Sequence, residues 1–362
     1  MTYAREKVSR VLRRIVPALL AGLTLLTACS TATGPQVGPG VAAVVGNQVI
    51  PSELIDQRLR TAAPQIGEAL AQQAQEQGRP STGIDASTLA DQSRELLTAA
   101  ILHAVIVEAG RREGVVADPA QIEQRLQAAG GEQAAAGSGY DLATLRERFA
   151  DQLVVAEIGR RQFDRLQATV DVGTYPDKAA AQRAAAQLAA DPGVGPLAAL
   201  PEDARLLATT LRPGAVQPGE QVRTASSLLF GLPGRTVSIS APQPEATPGA
   251  PKPDPSTEPW TVVRVRDRSL TAPPPGGNTV PAALVDARTL TQFGLRAVQP
   301  LATELAVQVN PRYGTWDPTQ VSVVAPPATA GTVTPLAPTV TFAPAATPAP
   351  APAPGPAPAP AP

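Results

Sequence analysis

The chain has 362 residues, including 41 prolines and 29 glycines, and a formal charge of −1 at pH 7. The first 28 residues hold five basic residues and one acidic residue, so the rest has 25 basic and 30 acidic residues and a charge near −5. This balance disfavours a nucleic-acid binder, which would present a basic stripe. A single cysteine excludes an internal disulfide and a multi-cysteine metal site.

The first 30 residues are typical of an export signal. A basic stretch is followed by an uncharged apolar run over 15–26, which is too short to span a bilayer permanently. Leu26-Thr27-Ala28-Cys29 resembles the lipobox of bacterial lipoproteins. This resemblance implies cleavage between Ala28 and Cys29 and lipidation of the Cys29 sulfur, and two acyl chains would give stable membrane attachment. The alternatives are an ordinary signal peptide with an accidental cysteine, or an uncleaved anchor.

The pattern from 41 to 170 predicts a hairpin followed by a largely helical module, after a flexible tether at 29–40. Val41–Val45 and 48–50 are short β-branched runs around Gly46-Asn47, which predicts a tight turn. Ser52 is a candidate N-cap for a helix to about residue 63. Further helices are expected over 85–113, from Asp118-Pro119 to residue 129, and from Asp141 through Val170.

The character of the chain changes after residue 170. An Ala-rich helix to about residue 190 and a strand near 260–268 predict a small α+β domain over 171–270. Strand patterns flank the proline-rich stretch 241–259, which is therefore expected to be an insertion in a hairpin loop. Residues 271–324 predict a helix and a strand, and 325–362 predict a disordered Ala/Pro-rich tail.

The stretch VAAVVGNQVIPSELIDQRL resembles the start of the N-terminal module of SurA/PrsA-type extracytoplasmic chaperones, although its turn is Gly-Asn rather than Asn-Gly. LATLRERFADQL fits the helix order of that module. VNPRYGTWDP resembles the close of SurA-like lipoproteins of high-GC Gram-positive bacteria. The resemblance implies an α+β fold in which the C-terminal helix and strand return to the N-terminal module.

The same family usually holds a parvulin-type prolyl isomerase domain in the middle of the chain, and 174–268 resembles one in element order. Parvulins place two histidines beside an Asp or Cys under the substrate proline. Residues 174–268 contain no histidine and no cysteine. We therefore expect a degenerate parvulin-like domain, no catalytic residue and no efficient isomerisation of a bond whose barrier is about 20 kcal/mol.

Few other side chains are candidates for chemistry. His103, the only histidine, shares a helical face with Leu96, which indicates a core-edge residue satisfied by a neighbour rather than a catalytic or metal-binding one. No metal and no cofactor are expected. Trp260, Tyr313 and Trp316 could line a peptide-binding cleft, and the alternative is that they anchor the core.

The functional hypothesis is a lipid-anchored chaperone on the extracytoplasmic face of a bacterial membrane. Apolar grooves between helices would bind unfolded or newly secreted polypeptides weakly and reversibly, without ATP. Two alternatives stay open at this point. One is an active prolyl cis-trans isomerase, and the other is a structural envelope lipoprotein whose tail reaches through the wall.

Overall fold

The computed structural model describes residues 35–336, apart from 79, 81–82, 139, 192, 194, 216–226, 242–258, 278 and 326–329. This part of the chain is a mixed α+β fold, which confirms the predicted fold class. The predicted signal peptide, Ala28, Cys29, nearly all of the 241–259 insertion and most of the tail lie outside the described residues.

The helices and strands follow one another along the chain with short connections. The described α-helices are α1 (Ser52–Glu76), α2 (Ala86–Glu113), α3 (Pro119–Ala128), α4 (Glu132–Ser138), α5 (Leu142–Phe163), α6 (Lys178–Ala190), α7 (Gly195–Ala198) and α8 (Ala287–Glu304). The described strands are β1 (Val41–Val45), β2 (Gln48–Pro51), β3 (Gln167–Tyr175), β4 (Arg205–Leu211), β5 (Thr236–Ser240), β6 (Trp260–Ser269), β7 (Gln308–Val309), β8 (Thr315–Asp317), β9 (Ser322–Val324) and β10 (Thr332–Pro335).

Aspartate side chains begin most of the longer helices, because a carboxylate can accept the free N–H groups of a first helical turn. The capping residues are Asp85, Asp118, Asp141, Asp177 and Asp286. Each such cap stabilises its helix by about 1 kcal/mol. At the other end of α2, Gly114 adopts the left-handed conformation with φ +61°, which stops the helix where the sequence predicts.

Helix α1 differs from its prediction at both ends. Its N-cap is Pro51, which makes no side-chain cap, and Ser52 is already the first helical residue, its N–H donating to Gly40 O at 2.9 Å. The helix also continues through Pro64 to Glu76 rather than ending near residue 63. The Ala, Gln and Glu residues that follow Pro64 have high helix propensity, and they carry the helix past the one hydrogen bond that proline removes.

The predicted hairpin is present, and the C-terminal part of the chain joins it. Strands β1 and β2 pair around Gly46, whose φ of +57° suits glycine in this turn. Strand β7 pairs with the other side of β1, with Ala43 opposite Val309. The resulting sheet order is β2-β1-β7, so a strand from the end of the chain completes the N-terminal module.

Helices α2, α5 and α8 form the largest core with the small sheet. Phe293 of α8 meets Phe163 of α5 edge-to-face, with ring centroids 5.1 Å apart. The two helices approach closely at Gly159 and Gly294. A Cβ added at Gly294 would overlap the main-chain oxygen of Val155, and one at Gly159 would overlap that of Leu290. Only glycine therefore fits at this crossing.

The five-stranded sheet has the order β10-β5-β6-β3-β4 and is antiparallel throughout. Alternate side chains face two different cores, as the period of a strand requires. Val170 and Val263 belong to the core shared with α2, α5 and α8, whereas Trp260 and Val262 belong to a second core under α6. The sheet thus lies between the helical body and α6.

Two predicted boundaries are wrong. Helix α5 ends at Phe163 instead of extending through Val170, because 167–175 alternates between the two cores as strand β3. The division placed at 170/171 therefore falls inside a strand. The tail predicted from residue 325 also begins too early, since β10 pairs with β5 and Val333 packs against the main core.

Asp317 holds this C-terminal segment in place. Its fully buried carboxylate accepts the N–H and the hydroxyl of Thr319, at 2.8 and 2.6 Å, in the turn of the β8–β9 hairpin. Its second oxygen accepts the N–H of Gly331 at 2.7 Å, immediately before β10. The polar turn therefore supplies the connection that the apolar pattern of the sequence does not indicate.

The helix crossing gives a stability prediction. Gly294→Ala should lower the free energy of unfolding by about 2 kcal/mol, because overpacking against a backbone oxygen outweighs the higher helix propensity of alanine. Gly276→Ala is the matched control, because a Cβ there would meet nothing within 4 Å, and it should change stability by less than about 0.5 kcal/mol. Urea unfolding measures both, and equal effects would refute the close-packing account.

Candidate functional site

An apolar groove lies between α2, α5 and α8, and we call it the helix groove. It consists of two adjoining cavities of about 140 and 240 Å³, which share Leu102 and Leu295 as walls. Leu295 is 38% exposed, which is unusual for a leucine in a helix that otherwise packs into the core. The other apolar side chains of the groove are Leu96, Ala99, Ile106, Val155 and Val321.

The position of the groove follows from the helix crossing. Gly159 and Gly294 hold α5 and α8 together at one level, and Leu295 follows Gly294 directly in the chain. Successive residues of a helix point about 100° apart, so the buried glycine leaves the adjacent leucine turned outward. Leu102 of α2 lies opposite and closes the apolar wall.

One end of the first cavity is polar and carries paired charges. Arg58 of α1 donates from Nη2 to Glu147 of α5, at 3.1 Å to Oε1 and 3.0 Å to Oε2. His103 Nδ1 of α2 lies 2.9 Å from Asp151 Oδ1 and 3.8 Å from Glu147 Oε1. Arg148 lies over the Tyr140 ring at 4.4 Å from its centroid. These groups pair with one another, so this end of the groove presents little net charge.

Hydrogen bonding and burial act together on the histidine pair. The pKa of His103 is raised, because its Nδ1–H donates to the Asp151 carboxylate, and this outweighs the opposing effect of burial. Burial raises the pKa of Asp151, and the hydrogen bond from His103 opposes that rise. The predicted interpretation of His103, a core-edge side chain satisfied by a neighbour, matches this geometry. The neighbour, Asp151, could not be named from the sequence.

The parvulin-like sheet has a different polar centre. Asp171 is fully buried on β3 and accepts from Arg264 Nε at 2.6 Å, from Arg266 Nε at 2.8 Å and from the N–H of Ala208 at 2.8 Å. Burial raises its pKa, but these donors outweigh burial and hold the pKa below its usual value. A carboxylate held by this set of donors is a structural ion cluster and a poor general base.

The aromatic peptide-binding prediction needs correction. Trp260 is 1% exposed in the second core, with Lys178 Nζ over its ring at 4.8 Å, and Tyr313 is 5% exposed in the main core. Trp316 is partly buried against the main core. These side chains do not meet in a cleft. They anchor the cores, because their large apolar area is stabilised most by burial.

Sequence reasoning missed the groove itself. Its apolar positions on α2, residues 99, 102 and 106, follow helical spacing, but the same spacing also describes a core face. Only the packing of α8 shows which of these faces remains open. None of the described helices combines the length and the apolar character needed to cross a bilayer. The described His, Cys, Asp and Glu residues form no group of three or more suited to a metal ion.

No protein-family model matches the chain, and no curated protein matches it. Among solved structures, foldase protein PrsA from Streptococcus pneumoniae str. Canada MDR_19A is 12% identical over 64% of this chain and 94% of its own, with a TM-score of 0.21. Foldase protein PrsA from Lactococcus lactis is 12% identical over 75% and 95%, also with a TM-score of 0.21. At these TM-scores neither likeness supports a conclusion about this chain.

The histidine pair gives a pH-dependent prediction. Since the folded pKa of His103 lies above its unfolded value of about 6.5, its contribution is complete below that pH and is lost as the pH rises through the folded pKa. His103→Gln should therefore lower the free energy of unfolding by about 1 kcal/mol at pH 6 and by less at pH 9.

Urea unfolding of both proteins at the two pH values measures this difference. His103 is the only histidine, so no other imidazole contributes to the change between pH 6 and 9. Asp151→Asn serves as the partner variant and should remove the same pH-dependent part of the stability. A loss that is equal at pH 6 and pH 9 would contradict the assignment.

Proposed function

We propose that the chain is a lipid-anchored, extracytoplasmic holdase that binds unfolded or newly exported polypeptides without ATP. The observation that carries the proposal is the helix groove, an open apolar surface between α2, α5 and α8 with Leu295 at its edge. The sequence resemblance of residues 41–170 and 284–318 to SurA/PrsA-type chaperones points to the same activity.

The size of the groove suits transient binding. Two cavities of about 140 and 240 Å³ accept only a few apolar side chains. Each buried aliphatic side chain contributes about 1.5–3 kcal/mol, and association itself costs several kcal/mol. The surplus is small, so a client would bind weakly and leave without an energy source. A holdase requires this kind of reversible contact.

The proposed location depends on Cys29, which lies six residues before Pro35, the first described residue. Acylation of its sulfur would hold the folded part within about 25 Å of the membrane, because each residue spans at most about 3.6 Å. Metabolic labelling with a fatty acid should mark the protein in the membrane fraction and should fail for Cys29→Ser. Absence of label from the unmutated protein would refute the anchor.

Prolyl isomerisation is not favoured as an alternative. Residues 174–268 hold neither histidine nor cysteine, and the buried carboxylate of the sheet, Asp171, is bound by Arg264 and Arg266. The exposed side chains of the groove are aliphatic rather than acid–base groups.

The groove gives a direct test of holdase activity. The protein without residues 1–28, carrying Cys29→Ser, should delay the aggregation of several unrelated unfolded clients, as measured by light scattering. Leu295→Glu places a charge on the apolar wall and should raise the concentration needed for half-maximal protection about tenfold.

Leu284→Glu is the matched control, because Leu284 is 77% exposed and lines neither cavity of the groove. It should protect clients as well as the unmutated protein does. Circular dichroism and thermal unfolding establish that both variants are folded. If the unmutated protein gives no protection, or if the two leucine variants lose it equally, the proposal is wrong.

A further inference from the structure

The second cavity of the helix groove contains a buried oxygen without a hydrogen-bond donor. Gln292 of α8 lines this cavity, and its Oε1 atom has an accessible area below 1 Å² and no partner in the described structure. Tyr313 and Trp316 also carry buried polar atoms without partners among the described residues, but they line neither cavity of the groove. Because buried acceptors are nearly always paired in folded proteins, an unpaired one facing a groove points to a ligand that donates.

The surroundings of Gln292 define the chemistry of that donor. The neighbouring walls are Leu102, Leu295 and Val321, which favour an apolar occupant. Among the described residues that line this cavity, Arg296 alone is charged, and its Nη1 donates to Gln299 Oε1 at 3.0 Å. Since none of these lining residues is a carboxylate, nothing among them pairs with a cationic donor. The partial negative charge of Oε1 is therefore complementary to an uncharged N–H.

We propose that Gln292 Oε1 accepts a main-chain N–H from an extended apolar segment of a client lying in the helix groove. This inference rests on the proposed holdase function and adds the way in which the groove recognises its ligand. One contact of this kind reads the backbone, which all clients share, while the leucine walls take whichever apolar side chain is adjacent. Water satisfies Oε1 when the groove is open, and a client that displaces the water must replace its hydrogen bond.

The requirement for an N–H has a consequence for proline. A segment with proline at the contact position cannot donate and would leave Oε1 buried without a partner. The C-terminal tail of this chain is such a segment, since every second residue from Pro348 to Pro362 is proline. The groove therefore discriminates against the tail of its own chain, and clients are bound without competition from it.

The test uses a fluorescein-labelled octapeptide of Ala, Leu and Val and a series in which one main-chain nitrogen at a time is methylated. Fluorescence anisotropy with the protein lacking residues 1–28 should show one methylated position that weakens binding about tenfold. Gln292→Met removes the acceptor at similar volume, and the methylated and unmethylated peptides should bind it equally. Gln292→Glu keeps an oxygen acceptor and should restore the discrimination.

Gln320→Met is the matched control, because Gln320 lines the same cavity but has no buried unpartnered atom. It should discriminate between the peptides as the unmutated protein does. Equal binding of all methylated peptides by the unmutated protein would overturn the inference, as would unchanged discrimination in Gln292→Met. A dimer in sedimentation that Gln292→Met abolishes would assign the groove to a second copy and would overturn the inference as well.

These outcomes are separate from the failure of the proposed function. If the protein delays client aggregation but every methylated peptide binds alike, the holdase proposal stands and the role of Gln292 falls. If the protein neither protects clients nor binds any peptide of the series, both proposals fail together.

Discussion

The contact between α5 and α8 at Gly159 and Gly294 is the constraint on which the rest of the structure depends. Main-chain atoms of one helix occupy the space that a side chain would need on the other. The edge-to-face contact of Phe163 with Phe293 fixes the same pair of helices nearby. This crossing brings the C-terminal helix against the N-terminal body, places β7 within reach of β1 and leaves Leu295 on the open side. The packing that closes the fold also forms the groove.

The two sheet edges show why binding of extended clients falls to a groove between helices. An open edge could add a client as another strand, but both outer strands are interrupted. Strand β4 is bulged at Ala208, which has φ +48° and donates its N–H to buried Asp171. Strand β10 carries Pro335, which cannot donate to a ladder. The Asp171 cluster thus shapes an edge that resists strand addition, whereas the helix groove stays accessible.

The sequence predicted those parts of the fold that local chemistry determines. The hairpin at Gly46, the helix starts at Asp118 and Asp141 and the helix end at Gly114 all follow from short-range capping and turn preferences, and the structure has each of them. The errors arose where tertiary contacts override local pattern. Residues 167–170 continue the apolar spacing of α5, yet they form a strand because the sheet requires alternation between two cores.

The groove could not be predicted for a related reason. Leu102 and Leu295 resemble core residues in any helical periodicity, and Gln292 resembles an ordinary polar helix residue. Only the three-dimensional arrangement makes the first two walls of a cavity and leaves the third with an unpaired oxygen. The aromatic residues were more conspicuous in the sequence, and burial removes two of them, Trp260 and Tyr313, from solvent. Scarce large side chains were needed in the cores, so the open surface was left to leucine.

The charges around the groove complete this picture, because they are used within the protein. Arg58 pairs with Glu147, His103 pairs with Asp151, and Arg296 donates to Gln299. Internal pairing leaves little field of either sign to steer a charged ligand. Selection by the groove therefore rests on shape, on apolar contact and on one main-chain hydrogen bond. Such a surface distinguishes an unfolded segment, whose N–H groups are free, from a folded one, whose N–H groups are already paired.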